Sequence, residues 1–337
     1  MKTTVERRRV IRPRPAIALT VTALLTLAVA VYGLTSGDYP ITPAGVVKTL
    51  VGLGDATDAY IVNELRLPRV AAALVVGAAL GLSGALLQAL VRNGLASPDV
   101  LGVTNGASVG ALGTIVLIGG GSVAVAAGAA VGGIAIGVLL MLLSGRAQGN
   151  RLVLAGVAIT AILSGVIGWL LTKAQLVDAA RATLWLTGSL DGRGWDDVLP
   201  PAVALVLVLP VLVLYARPLA MLEMGDDSAT ALGVRVARTK ALVMLSSVLL
   251  ASFAAAAAGP VSFVALTAPH LARRASRATG PNLAASAVFG AALLVCADWA
   301  AQHLVPGRQL PVGAVTGLLG GGYLIWLLVM ERRAGRL

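Results

Sequence analysis

Between Arg69 and Arg92 the chain reads VAAALVVGAALGLSGALLQALV, with no ionisable side chain. A hydrocarbon core ~30 Å thick takes about 20 apolar residues in a helix, so this run is a bilayer-length span. Backbone N–H and C=O groups inside lipid must be satisfied within the protein, and runs of this length satisfy them as helices. Ten spans are expected, at about 15–34, 69–91, 97–118, 121–143, 152–172, 197–215, 241–258, 260–272, 282–304 and 311–330. The eighth is short and holds Pro260 and Pro269, which predicts a broken or partly re-entrant helix. The class is an all-α integral membrane protein, with one transmembrane domain over residues 1–337.

Composition agrees. The chain is 58% hydrophobic and 12% charged, where a soluble domain carries about a quarter charged residues. A net charge of +11 would fit nucleic acid or anionic lipid. The basic residues are scattered over the flanks of the spans, however, so membrane lipid is the expected partner and nucleic acid is not. They gather at 2–14, 146–151, 217–240, 273–277 and 332–336, which by the positive-inside bias makes those segments and both termini cytoplasmic. The apolar stretch Ala16–Leu34 exceeds the 7–15 residues of a signal-peptide core, so it reads as a retained first helix.

The chemistry this chain lacks narrows its role. No GxxxxGK[ST] loop occurs, and none of Lys2, Lys48, Lys173 and Lys240 follows a glycine, so ATP hydrolysis by that route is excluded. Cys296 is the single cysteine, which leaves no intrachain disulfide and no cysteine-based metal site. His270 and His303 are expected at opposite faces of the membrane, and no HExxH or Ser/His/Asp set appears. No catalytic, metal or cofactor site is expected. Asp298 is the one acid well inside a span. It fits either a structural partner of a helix end or polar group, or a direct part in transport. Asp99 sits at a helix start.

Glycines recur at spacing four, at Gly77 and Gly81, Gly102, Gly106 and Gly110, Gly128 and Gly132, Gly133 and Gly137, and Gly313, Gly317 and Gly321. Small residues on one stripe let helices approach closely. The triplets Gly119–Gly121 and Gly320–Gly322 are expected at turns or helix ends. In the connection 216–240, Asp226 or Asp227 is placed to cap a short helix through Ala231, with Gly233 as its stop. That helix is either a docking ridge for another protein or an ordinary solvated loop. At the opposite face, Arg66 and Arg69 flank Pro68 and Arg308 precedes the tenth span. They serve either to capture carboxylates of a partner or to anchor headgroups.

The wording of several segments is specific. RLPR at 66–69, GAALGLSGALLQALVRNGLASPDVLGVTNGASVG at 77–110, LWLTGSL at 184–190, LGVRVARTKALVMLSSVLLAS at 232–252 and GPVSFVALTAPHLARR at 259–274 resemble the FecCD family, as does the ending ADWAAQHLVPGRQLPVGAVTGLLGGGYLIWLL. Members are permease subunits of ATP-binding-cassette importers for iron–siderophore complexes, haem and vitamin B12. The resemblance implies a ten-helix permease of the bacterial inner membrane, with helices two to five and seven to ten as inverted pseudo-repeats. It implies a second permease subunit, two ATPase subunits that hold ATP and Mg, and an extracytoplasmic substrate-binding protein. By motif position, Arg66, Arg69 and Arg308 would meet the binding protein and Asn93 would lie at the cytoplasmic gate. Asp226, Asp227, Ala231, Leu232 and Gly233 would form the ATPase coupling helix. The sequence departs from the family pattern at Gly94, Ala265 and Gly322, and at Gln302, where an arginine is common. An ion-coupled secondary carrier is the alternative outside this family.

Overall fold

The computed structural model describes residues 13–37, 39–144, 150–278, 280–305 and 307–333, so the basic tails expected at 1–14 and 331–337 fall largely outside them. The described elements are all helical. In chain order they are α1 (Pro13–Thr35), α2 (Pro43–Leu50), α3 (Ala56–Tyr60), α4 (Leu67–Val91), α5 (Val103–Gly113), α6 (Ser122–Ser144) and α7 (Asn150–Lys173). Then follow α8 (Leu176–Leu186), α9 (Trp195–Leu222), α10 (Asp226–Ala231), α11 (Val236–Ala258), α12 (Val264–Ser276), α13 (Leu283–His303) and α14 (Val312–Arg333). Wider π turns at Ile61–Arg66 and Thr114–Ile118 join α3 to α4 and extend α5.

Each of the ten expected spans contains a helix, but three differ from the expected form. Among the described residues, seven helices are long and apolar enough to cross a bilayer. The extended α5 and α14 hold shorter apolar runs, Val103–Ile118 and Val312–Leu327, and α12 has only 13 residues. The third span begins as a helix at Val103 rather than 97. Residues 97–102 form turns closed by Leu101 N–H on Ser97 O and Gly102 N–H on Asp99 O. The eighth begins at Val264, which leaves Pro260 outside the helix and only Pro269 within it. Val261 and Ala265 are buried there, so the irregular backbone is sheathed by protein, as a bilayer requires. The connections at 35–65 and 173–196 carry the short helices α2, α3 and α8.

Two helices make the centre. α4 and α11 are the most enclosed of the long helices, whereas α1, α7 and α9 turn most of their surface outward. Where α4 and α11 cross, Ser83 Oγ donates to Ser247 O and Ser247 Oγ donates to Ser83 O, each at 2.9 Å. This reciprocity is what a local two-fold axis produces. The packing obeys the same exchange: α4 lies on α13 as α11 lies on α6, α4 on α12 as α11 on α5, and α5 on α6 as α12 on α13. The N-caps of α5 and α12, Gly102 and Phe263, are both left-handed. The repeat of helices two to five in seven to ten is therefore present in the fold.

Close glycine contacts bring the helices together. A Cβ at Gly81 would lie 2.2 Å from Ser286 O on α13, and one at Gly110 would lie 2.0 Å from Gly128 O on α6. Lipid tails are as apolar as leucine, so helices associate in a bilayer by close backbone contact of this kind. The stripe on α14 behaves otherwise. Gly313 meets Thr187 O, but Gly317 and Gly321 face open space within this chain. Gly320–Gly322 lie inside α14 rather than at its end, and Phe263 packs where a side chain on Gly320 would stand.

Candidate functional site

Polar groups concentrate at the two ends of α4. Arg69 and Arg92 are about 35 Å apart along the helix, at ~1.5 Å per residue.

At the first end Arg69 is fully engaged within the chain. Its Nε and Nη2 donate to Asp298 Oδ1 and Oδ2 on α13 at 3.0–3.2 Å. Its Nη1 donates to Asp191 Oδ1 at 3.2 Å and to Gln309 Oε1 at 2.9 Å. Gln302 Nε2 adds a bond to Asp298 Oδ2 at 2.8 Å, one turn along α13. Side-chain exposure is 13% for Arg69 and 5% for Asp298, so this is an enclosed ion pair in which the guanidinium fork meets a carboxylate. It ties α4 to α13 and to the loops before α9 and α14. Arg66 Nη1 donates to Leu34 O at 2.8 Å and Nη2 to Tyr39 O, which fastens the end of α1. Both arginines turn inward, because main-chain and carboxylate acceptors lie within reach at the ends of α1 and α13. Arg308 is exposed, and its guanidinium has no hydrogen bond or ion pair among the described residues.

A cavity of about 400 Å³ opens beside this network. Arg181 and Trp185 of α8 line it, with Asp191, Arg193 and Gln309.

The second end holds Asn93 and the 216–240 connection. Arg92 closes α4 in a left-handed conformation with φ 56°. Asn93 Oδ1 accepts from Leu95 N–H at 2.9 Å, so its side chain shapes its own turn. Asp226 does not cap α10. Gly225 is the N-cap, and the Asp226 carboxylate turns away to accept from Arg92 Nη2 at 2.9 Å and Lys240 Nζ at 2.6 Å. Asp227 is exposed in the same first turn. Gly233, with φ 83°, stops the helix as its residue type predicts. Leu232 beside it is 59% exposed, while Ala229 is buried. Across the turn, His270 Nε2 bonds Gly94 O at 2.8 Å and Arg273 Nη2 donates to Gln88 Oε1 at 2.6 Å. His303 lies at the other end, stacked on Trp299 with its Nδ1 on Trp299 O. Among the described residues no three of His, Cys, Asp and Glu gather as metal ligands.

The structure joins Arg69 to Asp298, which the sequence offered as unrelated features. It also adds Arg92, Lys240, Gln88 and Arg273, which lie within the family-like segments but which no spacing or residue type singled out. Their shared signal is charge or an amide at a helix end, and many residues carry that.

The sequence profile of the FecCD transport family matches residues 24–330. The chain belongs to this family. It is a multi-pass transport permease of the inner membrane. The ferric enterobactin transport system permease protein FepG of Escherichia coli is 45% identical over 321 residues, spanning 94% of this chain and 97% of FepG. The hemin transport system permease protein HmuU of Yersinia pestis is 38% identical, covering 81% of this chain and 84% of HmuU. A solved inward-facing metal-chelate type ABC transporter superposes with TM-score 0.83 at 28% identity, covering 94% of this chain and 99% of that one.

Proposed function

We propose that this chain is one of two permease subunits of an importer that takes a ferric siderophore from an extracytoplasmic binding protein. Two separate ATPase subunits hold ATP and Mg and drive it. The reading rests chiefly on the near full-length 45% identity to a ferric enterobactin permease. Both termini are cytoplasmic, so the Arg69 end faces outside and the Asn93 end inside.

Arg308, with an unengaged guanidinium, is the residue best placed to meet acidic groups of the binding protein; Arg66 and Arg69 shape the surface around it. The ATPases dock on Asp226–Gly233, where exposed Leu232 supplies an apolar contact. Their closure displaces α10, and the turn at Asn93 opens or shuts the inner mouth. Iron crosses inside its chelator, since the described residues offer no ligand set for the bare ion. An ion-coupled carrier needs an acid free to load and release its ion, and Asp298 is held by Arg69 and Gln302. Haem is the second reading for the cargo, favoured by the 38% identity to a hemin permease.

Reconstitution with the ATPase and binding protein in proteoliposomes tests this. Uptake of iron-55 ferric enterobactin should require ATP and both partners. Uptake without the ATPase, or driven by an ion gradient alone, would sink the importer reading. Uptake of haem or vitamin B12 with no ferric siderophore moved would reassign the cargo.

A further inference from the structure

The Asp226 carboxylate gathers three elements, α10 and α11, which follow one another, and α4, which is far from both in the chain. Arg92 at the exit of α4 binds Oδ1, Lys240 in α11 binds Oδ2, and Asp226 itself opens α10. The backbone of α10 packs on α9 and α11. The end of α4 instead reaches α10 by a side chain: the Arg92 guanidinium crosses to Asp226 and lies beside Gly225, 3.8 Å from where a Cβ would stand. The turn that begins at Arg92 is fastened on its other side to α12 through His270 on Gly94 O. Gln88, one turn earlier on α4, joins α12 twice, donating to Leu266 O and accepting from Arg273. The turn around Asn93 therefore sits between α10 and α12 and is tied to both.

We propose that Arg92 is the positioning residue that carries a displacement of α10 to the Asn93 turn. This rests on the coupling and gate roles proposed above. An apolar contact between α10 and α4 would let one slide over the other. A charge-assisted hydrogen bond is directional and stronger than a neutral one, so it holds the two elements together at one defined point. Both Asp226 oxygens are engaged, so the carboxylate cannot swing from Arg92 without also disturbing Lys240. The guanidinium delivers this link from a left-handed residue at the very point where α4 turns, so movement of Asp226 becomes rotation of the turn. Arg92 touches neither cargo nor nucleotide in this scheme and acts only through Asp226.

The assembled transporter in proteoliposomes provides the test, with Cys296→Ser and Leu95→Cys introduced as a reporter. Leu95 is 58% exposed in the turn. Its thiol is titrated with N-ethylmaleimide in the resting state and after trapping with ATP and vanadate, while ATP hydrolysis is followed in parallel. With Arg92 present, trapping should change the labelling rate. Arg92→Gln should shrink that change by on the order of tenfold while hydrolysis and ATPase co-purification persist, and Arg92→Lys should restore most of it. A nucleotide-dependent change that survives Arg92→Gln overturns the proposal. So does a parallel loss of hydrolysis and assembly, which would make Arg92 merely structural. A complex with Arg92 intact that hydrolyses no ATP would instead defeat the importer reading itself.

Discussion

Removing Arg69 alone strands the Asp298 carboxylate inside the bundle with only Gln302 as a side-chain donor. Breaking an enclosed pair in this way costs about 3–5 kcal/mol, whereas replacing both partners by apolar residues costs far less. Arg69→Leu should therefore lower the thermal midpoint in detergent more than Arg69→Leu with Asp298→Leu. Equal losses would show that the pair contributes little beyond side-chain volume. The same geometry makes Arg69→Glu a poor probe of docking, because it sets two more carboxylates, Asp298 and Asp191, against the new one. Arg308→Glu is the cleaner probe. It should leave the midpoint unchanged and weaken binding-protein affinity, measured by surface plasmon resonance on the reconstituted permease; unchanged affinity would remove Arg308 from the docking surface. Arg69 and Asp298 both stood out in the sequence, as a rim arginine and a lone intramembrane acid. Their pairing did not, because 229 residues separate them and no periodicity connects α4 to α13.

At the scale of helices, glycine spacing was informative because its physical cause is local. Gly77, Gly81, Gly106, Gly110, Gly128 and Gly132 all stand where another backbone approaches. Gly81→Ala pushes a methyl into Ser286 O, and overpacking of this kind costs about 1–3 kcal/mol. Gly165→Ala on α7 meets nothing within 4 Å and should be neutral or slightly stabilising, since alanine is the better helix former. The thermal midpoints of the two variants compare these effects directly. A Gly81→Ala protein as stable as Gly165→Ala would mean that α4 and α13 are less closely packed than described. The short helices escaped because a bilayer-length ruler does not register them. α2 nonetheless has a legible start: Thr42 Oγ1 accepts from Gly45 N–H, with Pro43 in the first turn. The third and eighth spans were misread at their beginnings for a related reason. Residues 97–102 read SPDVLG and 260–263 read PVSF, so Pro98, Gly102 and Pro260 signal irregular backbone that a ruler counting span length passes over.

For the whole molecule, the reciprocal Ser83–Ser247 bonds and the exchanged helix contacts describe two halves related by a local two-fold axis through the bundle. Such a scaffold is nearly symmetric between its two faces, so function depends on what breaks the symmetry. One end of α4 carries the Arg69–Asp298 network with exposed Arg308, and the other carries α10 and the Asn93 turn. The fold alone does not say which end meets the cytoplasm; the bias of basic residues predicts that the α10 end does. Single cysteines in a Cys296→Ser background separate the two ends in intact cells treated with a membrane-impermeant maleimide. Arg308→Cys should label without permeabilisation, and Asp227→Cys only after it. The reverse pattern would turn the protein over, expose α10 to the outside where no ATPase can reach it, and remove the basis for both the docking and the coupling assignments. Agreement would fix the direction of every step proposed for this chain, since delivery at Arg308 and drive at α10 then act from opposite sides of one bundle.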